Sequence, residues 1–134
     1  MRWAALLLLA GCAPVDAEVD CAPVPDVDLE FAALVGQAEA EFGPLPVECV
    51  DQVHEVQFVA DESEMPDVCR REGLLVLGCT AIDMLGYPHV WILDCQADPG
   101  HTIRHERLHS LLICTDGDHD YDHERDEWDR LGVR

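Results

Sequence analysis

The chain has 134 residues, a formal net charge of −20 and no lysine. That length suits one small domain with a modest core. So acidic a surface repels phosphate backbones, which speaks against nucleic-acid binding and favours cations or basic partners.

Met1-Arg2 supplies one positive charge, residues 3–10 (WAALLLLA) form an apolar run, and Leu9-Ala10-Gly11-Cys12 resembles the lipobox of bacterial lipoproteins. The run is far shorter than the roughly 20 apolar residues of a membrane-spanning helix. The resemblance implies that residues 1–11 are a signal peptide and that Cys12 is acylated. Residues 12–27, rich in proline, then act as a tether, and residues 28–134 form the folded domain. Ala13 follows the cysteine where inner-membrane lipoproteins often carry Asp, so the expected address is the outer membrane of a bacterial envelope, with a monomer held there by lipid.

Asp28 is the expected N-cap of a helix whose apolar residues run from Leu29 to Phe42 and which Gly43-Pro44 ends. Val53, Val56, Phe58 and Val59 suggest a strand near residues 52–60, and the acidic stretch 61–67 with Pro66 reads as a loop. Residues 73–82 (GLLVLGCTAI) are apolar enough for a buried strand or strand pair with a bend at Gly78. A turn at Gly86-Tyr87-Pro88 leads to a second strand over residues 89–93. Asp98-Pro99-Gly100 breaks the chain before a helix over about residues 100–114, with Ile103, Leu108, Leu111, Leu112 and Ile113 toward the core. The order predicts an α+β domain, a small antiparallel or mixed sheet packed against this last helix.

Setting Cys12 aside leaves Cys21, Cys49, Cys69, Cys79, Cys95 and Cys114. An even number in an exported chain reads as three disulfides. The expected pairing is Cys21 with Cys49, Cys69 with Cys79 and Cys95 with Cys114, other connectivities remaining open. The cysteines lack the C-x-x-C spacing of a zinc knuckle.

Residues 105–109 read His-Glu-Arg-Leu-His, an H-E-x-x-H run that a chain of this composition would contain by chance roughly 0.03 times. On a helix it places His105 and His109 one turn apart on one face, where both imidazoles reach one zinc ion and Glu106 stands beside the metal's open position as general base. A catalytic zinc generally takes three protein ligands. The metzincin continuation would need Gly at 112 and His at 115, where this chain has Leu112 and Thr115. The gluzincin solution is a Glu from a later helix, whereas here two further histidines, His119 and His123, follow in TDGDHDYDHERDEW.

The run HERLHSLLICTDGDHDYDHERDEW resembles small bacterial zinc metallopeptidase lipoproteins of zincin type over about residues 88–130. Their pattern is H-E-x-x-H-x-L-L, a Gly-Asp-rich loop with alternating Asp, then a single His and a Trp. The resemblance implies a minimal zincin-like fold and hydrolysis of a peptide or protein substrate. It also implies His123 as the third zinc ligand, with Trp128 behind it and His119 in reserve. Asp118, Asp120 and Asp122 are candidates to orient the imidazoles through their second nitrogens, and Tyr121, Tyr87 or His119 to stabilise an oxyanion. His101 is read as capping the helix entrance, and His54 and His89 as ordinary hydrogen-bonded histidines on strands.

Non-catalytic readings stand beside this one. Asp116, Asp118, Asp120, Asp122 and Glu127 fall where an EF-hand loop carries its calcium ligands, although Tyr121 occupies the position that needs Gly. A calcium-binding module, a structural zinc, or an envelope interaction protein that kept the fold without activity are therefore the alternatives. An acidic cleft would favour basic peptides.

Overall fold

A computed structural model describes residues 21–51 and 55–134. The expected signal peptide, Cys12, most of the expected tether and His54 lie outside the described residues. Helix α1 (Val27–Phe42) is capped by Asp26, two residues before the expected Asp28: its carboxylate accepts from the backbone N–H groups of Asp28 and Leu29 at 3.0 and 3.1 Å. Phe31, Leu34, Val35 and Ala38, spaced one helical turn apart, are its buried face. Gly43, with φ of 90°, ends it. A single turn of helix, α2 (Val47–Val50), follows and buries Cys49. The sequence pattern does not announce it.

The sheet has three strands, β1 (Val56–Val59), β2 (Gly78–Ile82) and β3 (Pro88–Leu93), in the order β1-β3-β2. β3 pairs parallel with β1 and antiparallel with β2, so the sheet is mixed. Along β3 the faces alternate: Val90 and Ile92 pack with Ile103, while Trp91 and Leu93 pack with Val59, Met65, Cys69 and Ala81 on the other face. The apolar run before β2 departs from expectation. Leu74 and Leu75 are 67% and 69% exposed, because pairing with β3 begins only at Gly78 and the chain before it turns back on itself at the isolated Arg71–Leu74 bridge.

Helix α3 (Pro99–Asp116) is the centre of the molecule. Asp98 caps it by accepting from the His101 backbone N–H at 3.0 Å, so His101 is not the cap; Pro99 takes the first turn, where no amide partner is needed, and Gly117 ends it at φ 75°. One side of α3 packs Leu108, Leu111 and Leu112 on the α1 face, and another sets Ile103 against the sheet. Arg107, nearly fully buried, lays its guanidinium over the Phe31 ring at 5.1 Å. A last turn, α4 (Glu127–Arg130), brings Trp128 into the same cluster with Leu131 and Val133. Among the described residues, no helix is long and apolar enough to cross a membrane.

The three disulfides are Cys21–Cys95, Cys49–Cys114 and Cys69–Cys79. Only the last matches the expected pairing. α2 delivers Cys49 to the end of α3, and the first described residues run beside the exit of β3, where the Ala22 N–H donates to the Gln96 carbonyl at 2.9 Å. Cys49–Cys114 spans 65 residues of sequence and ties α2 to the central helix. Replacing both cysteines by Ala is expected to lower unfolding stability by roughly 2–5 kcal/mol, measured by urea denaturation at neutral pH under non-reducing conditions.

Candidate metal centre

His105 and His109 leave α3 on one face, their ring centroids 5.2 Å apart, as the i, i+4 spacing requires. The loop after Gly117 then doubles back and places His123 against both. Its Nε2 lies 3.1 Å from His105 Nε2 and 3.2 Å from His109 Nε2. These three residues form the one potential metal-ligand cluster among the described residues, their donor atoms within 4.8 Å of one another. With Zn–N bonds of about 2.0–2.1 Å, the edge of a tetrahedral site is about 3.3 Å, which the two shorter separations approach.

Hydrogen bonding decides which nitrogens are free. The Val133 carbonyl lies 2.6 Å from His105 Nδ1 and the His119 carbonyl lies 2.7 Å from His109 Nδ1. Each Nδ1 must carry the proton to donate to its carbonyl, leaving Nε2 with a lone pair. Two unprotonated nitrogens thus face His123 Nε2, which has at most one proton to offer. Such a convergence of acceptors repels itself unless a cation sits among them. Burial keeps the imidazoles neutral and fit to ligate: it pushes His109 down to about 3 and lowers His105 and His123. The Trp128 ring closes the back of the site, 4.8, 4.5 and 4.4 Å from the rings of His105, His109 and His123.

The alternating aspartates have a different task from those expected. The Asp118 N–H donates to Asp116 and the Asp120 N–H to Asp118, at 3.1 and 3.0 Å, so each carboxylate turns the chain two residues on. Asp120 then accepts from the backbone N–H groups of Glu124 and Arg125, both at 3.1 Å, and from the Trp128 indole. Neither Asp118 nor Asp120 touches an imidazole nitrogen, and Asp122 has no hydrogen bond to one. That role belongs to backbone carbonyls, because the loop and the chain end pass directly over the exposed edge of α3. Arg125 ion-pairs with Asp116 at 2.6 Å, Glu127 at 2.5 Å and Asp118 at 3.6 Å. Three of the five carboxylates placed for calcium, Asp116, Asp118 and Glu127, are thereby paired with a guanidinium, which Glu127 and Asp116 hold firmly protonated. His123 itself has φ 54°, a conformation disfavoured for a residue with Cβ, and the Asp120 contacts hold the loop that imposes it.

Glu106 points away from the loop toward β2. It is 6% exposed, and Thr80 Oγ1 sits 2.8 Å from both its Oε2 and its backbone carbonyl. Burial raises its pKa to about 7, against the lowering effect of the Thr80 hydrogen bond. β2 comes this close to α3 because residue 78 is glycine: a Cβ there would lie 2.6 Å from Thr102 Cγ2 and 2.8 Å from Glu106 Cγ. Gly78 therefore serves close approach within a strand rather than a bend. Sequence reading missed Thr80, Val133 and the backbone of His119. A threonine on a strand is ordinary, and a carbonyl is present at every position, so neither carries a local signal.

His105, His109, His123 and Glu106 all line one cavity of about 180 Å³, together with Thr80, Tyr121 and His119. His119 is buried and outside the ligand cluster; its ring stacks on Tyr121 at 3.7 Å and neither ring nitrogen has a hydrogen-bond partner. Its backbone carbonyl holds His109, while its ring stands apart from the three clustered imidazoles. Tyr87 is 60% exposed and does not line the cavity. His101 stands off at 6.5 Å from the His105 ring, and His89 pairs with Asp83 at 2.9 Å, an ordinary hydrogen-bonded strand histidine. No protein-family model, curated protein or solved structure matches the chain.

The geometry predicts that the parent protein and His119→Ala take up near-stoichiometric zinc, whereas His123→Ala does not, as read by elemental analysis after dialysis. A second expectation concerns metal-free protein. A carboxyl raised from 4.5 to about 7 contributes stability fully present below pH 4.5 and lost as pH rises through 7. Glu106→Gln should therefore gain on the parent over that interval, on the order of 3 kcal/mol, in urea denaturation from pH 4.5 to 7.5.

Proposed function

We propose that the protein is a zinc-dependent peptidase held in the bacterial envelope by a lipid on Cys12. The observation that carries this reading is the meeting of the Nε2 atoms of His105, His109 and His123 in the wall of a cavity that also contains Glu106. His105, His109 and His123 would hold the ion. Bound there, zinc supplies a Lewis acid that polarises a scissile carbonyl and acidifies water.

The remaining work falls to the chain's own groups. Glu106, balanced near pH 7 by burial, takes a proton from the attacking water and returns it to the leaving amine. Thr80 fixes the carboxylate so that one oxygen is committed and the other is free to act. Trp128 excludes water from the back of the imidazoles. Tyr121, which lines the same cavity, would donate to a developing oxyanion. The carbonyls of Val133 and His119 keep the two helical imidazoles in the required tautomer.

Glu106→Gln is the deciding variant. It should bind zinc like the parent while peptide hydrolysis falls by roughly 10²–10⁴-fold, measured with a quenched-fluorescence peptide library. Equal zinc content with no hydrolysis by the parent would return the protein to the non-catalytic metal-binding reading.

A further inference from the structure

Resting on the peptidase reading, we propose that Arg71 makes this site selective for substrates that carry a carboxylate within a residue or two of the scissile bond. In a chain of charge −20, the cavity that holds the histidine cluster contains one carboxylate, Glu106, and one arginine, Arg71. The excess of acid lies elsewhere on the surface, so the expectation of an acidic cleft for basic peptides does not hold at the cavity itself.

Arg71 also differs from the other described arginines. Arg70, Arg104, Arg125, Arg130 and Arg134 each ion-pair with an Asp or Glu, and Arg107 is buried over Phe31. Arg71 is exposed and has no ion-pair partner among the described residues. It borders a second cavity with Asp61, Glu62 and Glu72, yet none of these makes an ion pair with it. An unpaired guanidinium beside so many acids is a recognition group left open, and its planar fork matches a carboxylate better than any neutral partner.

Its position is held by covalent structure. Arg71 lies in the loop closed by Cys69–Cys79, ten residues apart, and both cysteines line the same cavity. The disulfide fixes that loop to β2, whose Thr80 holds Glu106, so guanidinium and general base are joined through a short rigid path. Val68 and Val76 give the cavity an apolar wall beside Arg71, suited to an aliphatic side chain next to the recognised carboxylate. The protein's overall negative field opposes such ligands at long range. It is screened over about 8 Å at physiological ionic strength, whereas a contact inside the cavity is screened much less.

The carboxylate has two sources, a chain terminus or an acidic side chain. The test uses three hydroxamates that share a leucine-like side chain and differ beyond it: a free C-terminal carboxylate, the corresponding amide, or an amide-capped glutamate. Binding to the zinc-loaded full chain is measured by calorimetry. At least one carboxylate ligand should bind roughly fivefold to tenfold tighter than the neutral amide, and the tighter of the two identifies the source. Arg71→Gln should abolish the preference and leave amide binding unchanged, and Arg71→Lys should restore part of it. Equal binding of all three by the parent, or a preference that survives Arg71→Gln, overturns the role of Arg71 while leaving the metal centre intact. Failure of every hydroxamate to bind, or of the chain to take zinc, overturns the metal reading and this inference with it.

Discussion

Two backbone carbonyls govern the centre of this molecule. Those of Val133 and His119 take up the Nδ1 protons of His105 and His109, and in doing so turn two helical imidazoles into a pair of inward-facing lone pairs. Neither carbonyl belongs to the helix that carries the histidines. The end of the chain must fold over α3 to supply one, and the loop after Gly117 must double back to supply the other. That requirement accounts for the burial of Trp128, Leu131 and Val133 with the α1–α3 core. The site and the core are thus assembled by the same packing, and the histidine geometry is as rigid as the hydrophobic cluster beneath it.

The acidic loop is best understood as the device that meets this requirement. Asp116, Asp118 and Asp120 each turn the chain by accepting a backbone N–H, and Arg125 neutralises the carboxylates so gathered. Without that cation, several like charges within a short loop would repel one another. The result is a loop stiff enough to hold His123 at a positive φ against its own steric preference. Of the residues that resemble a calcium loop in one dimension, Asp116, Asp118 and Glu127 serve here to hold Arg125, a cation of the chain itself.

Charge is distributed with similar economy. Most arginines are committed to holding elements together, as Arg104 is to Glu30 of α1 and Arg130 is to Glu41. The cavity is lined largely by apolar, cystine and histidine side chains with Glu106 its one carboxylate, so net charge describes its lining poorly. Inside it lie a carboxyl raised by burial and a guanidinium without an ion-pair partner among the described residues, both of which depend on position rather than on composition.

Much of the local structure was legible in the residues. The extents of the two long helices, the strand at His89 to Leu93, the α+β order and the H-E-x-x-H face follow from short-range rules, whereas the caps fall to Asp26 and Asp98 and not to Asp28 and His101; the meeting of His123 with His105 and His109 was implied by the resemblance alone. The sequence by itself determined which side chains were available as ligands and that two of them share a helix face, because a spacing of four residues is a property of the helix alone. Only the tertiary structure decided the cysteine partners, the Thr80 contact with Glu106, the glycine demanded at 78 and the tautomers of the imidazoles. Each of these is a contact between segments distant along the chain, and the groups that make it, a carbonyl, a hydroxyl or a missing Cβ, look the same in sequence whether or not a partner lies across from them.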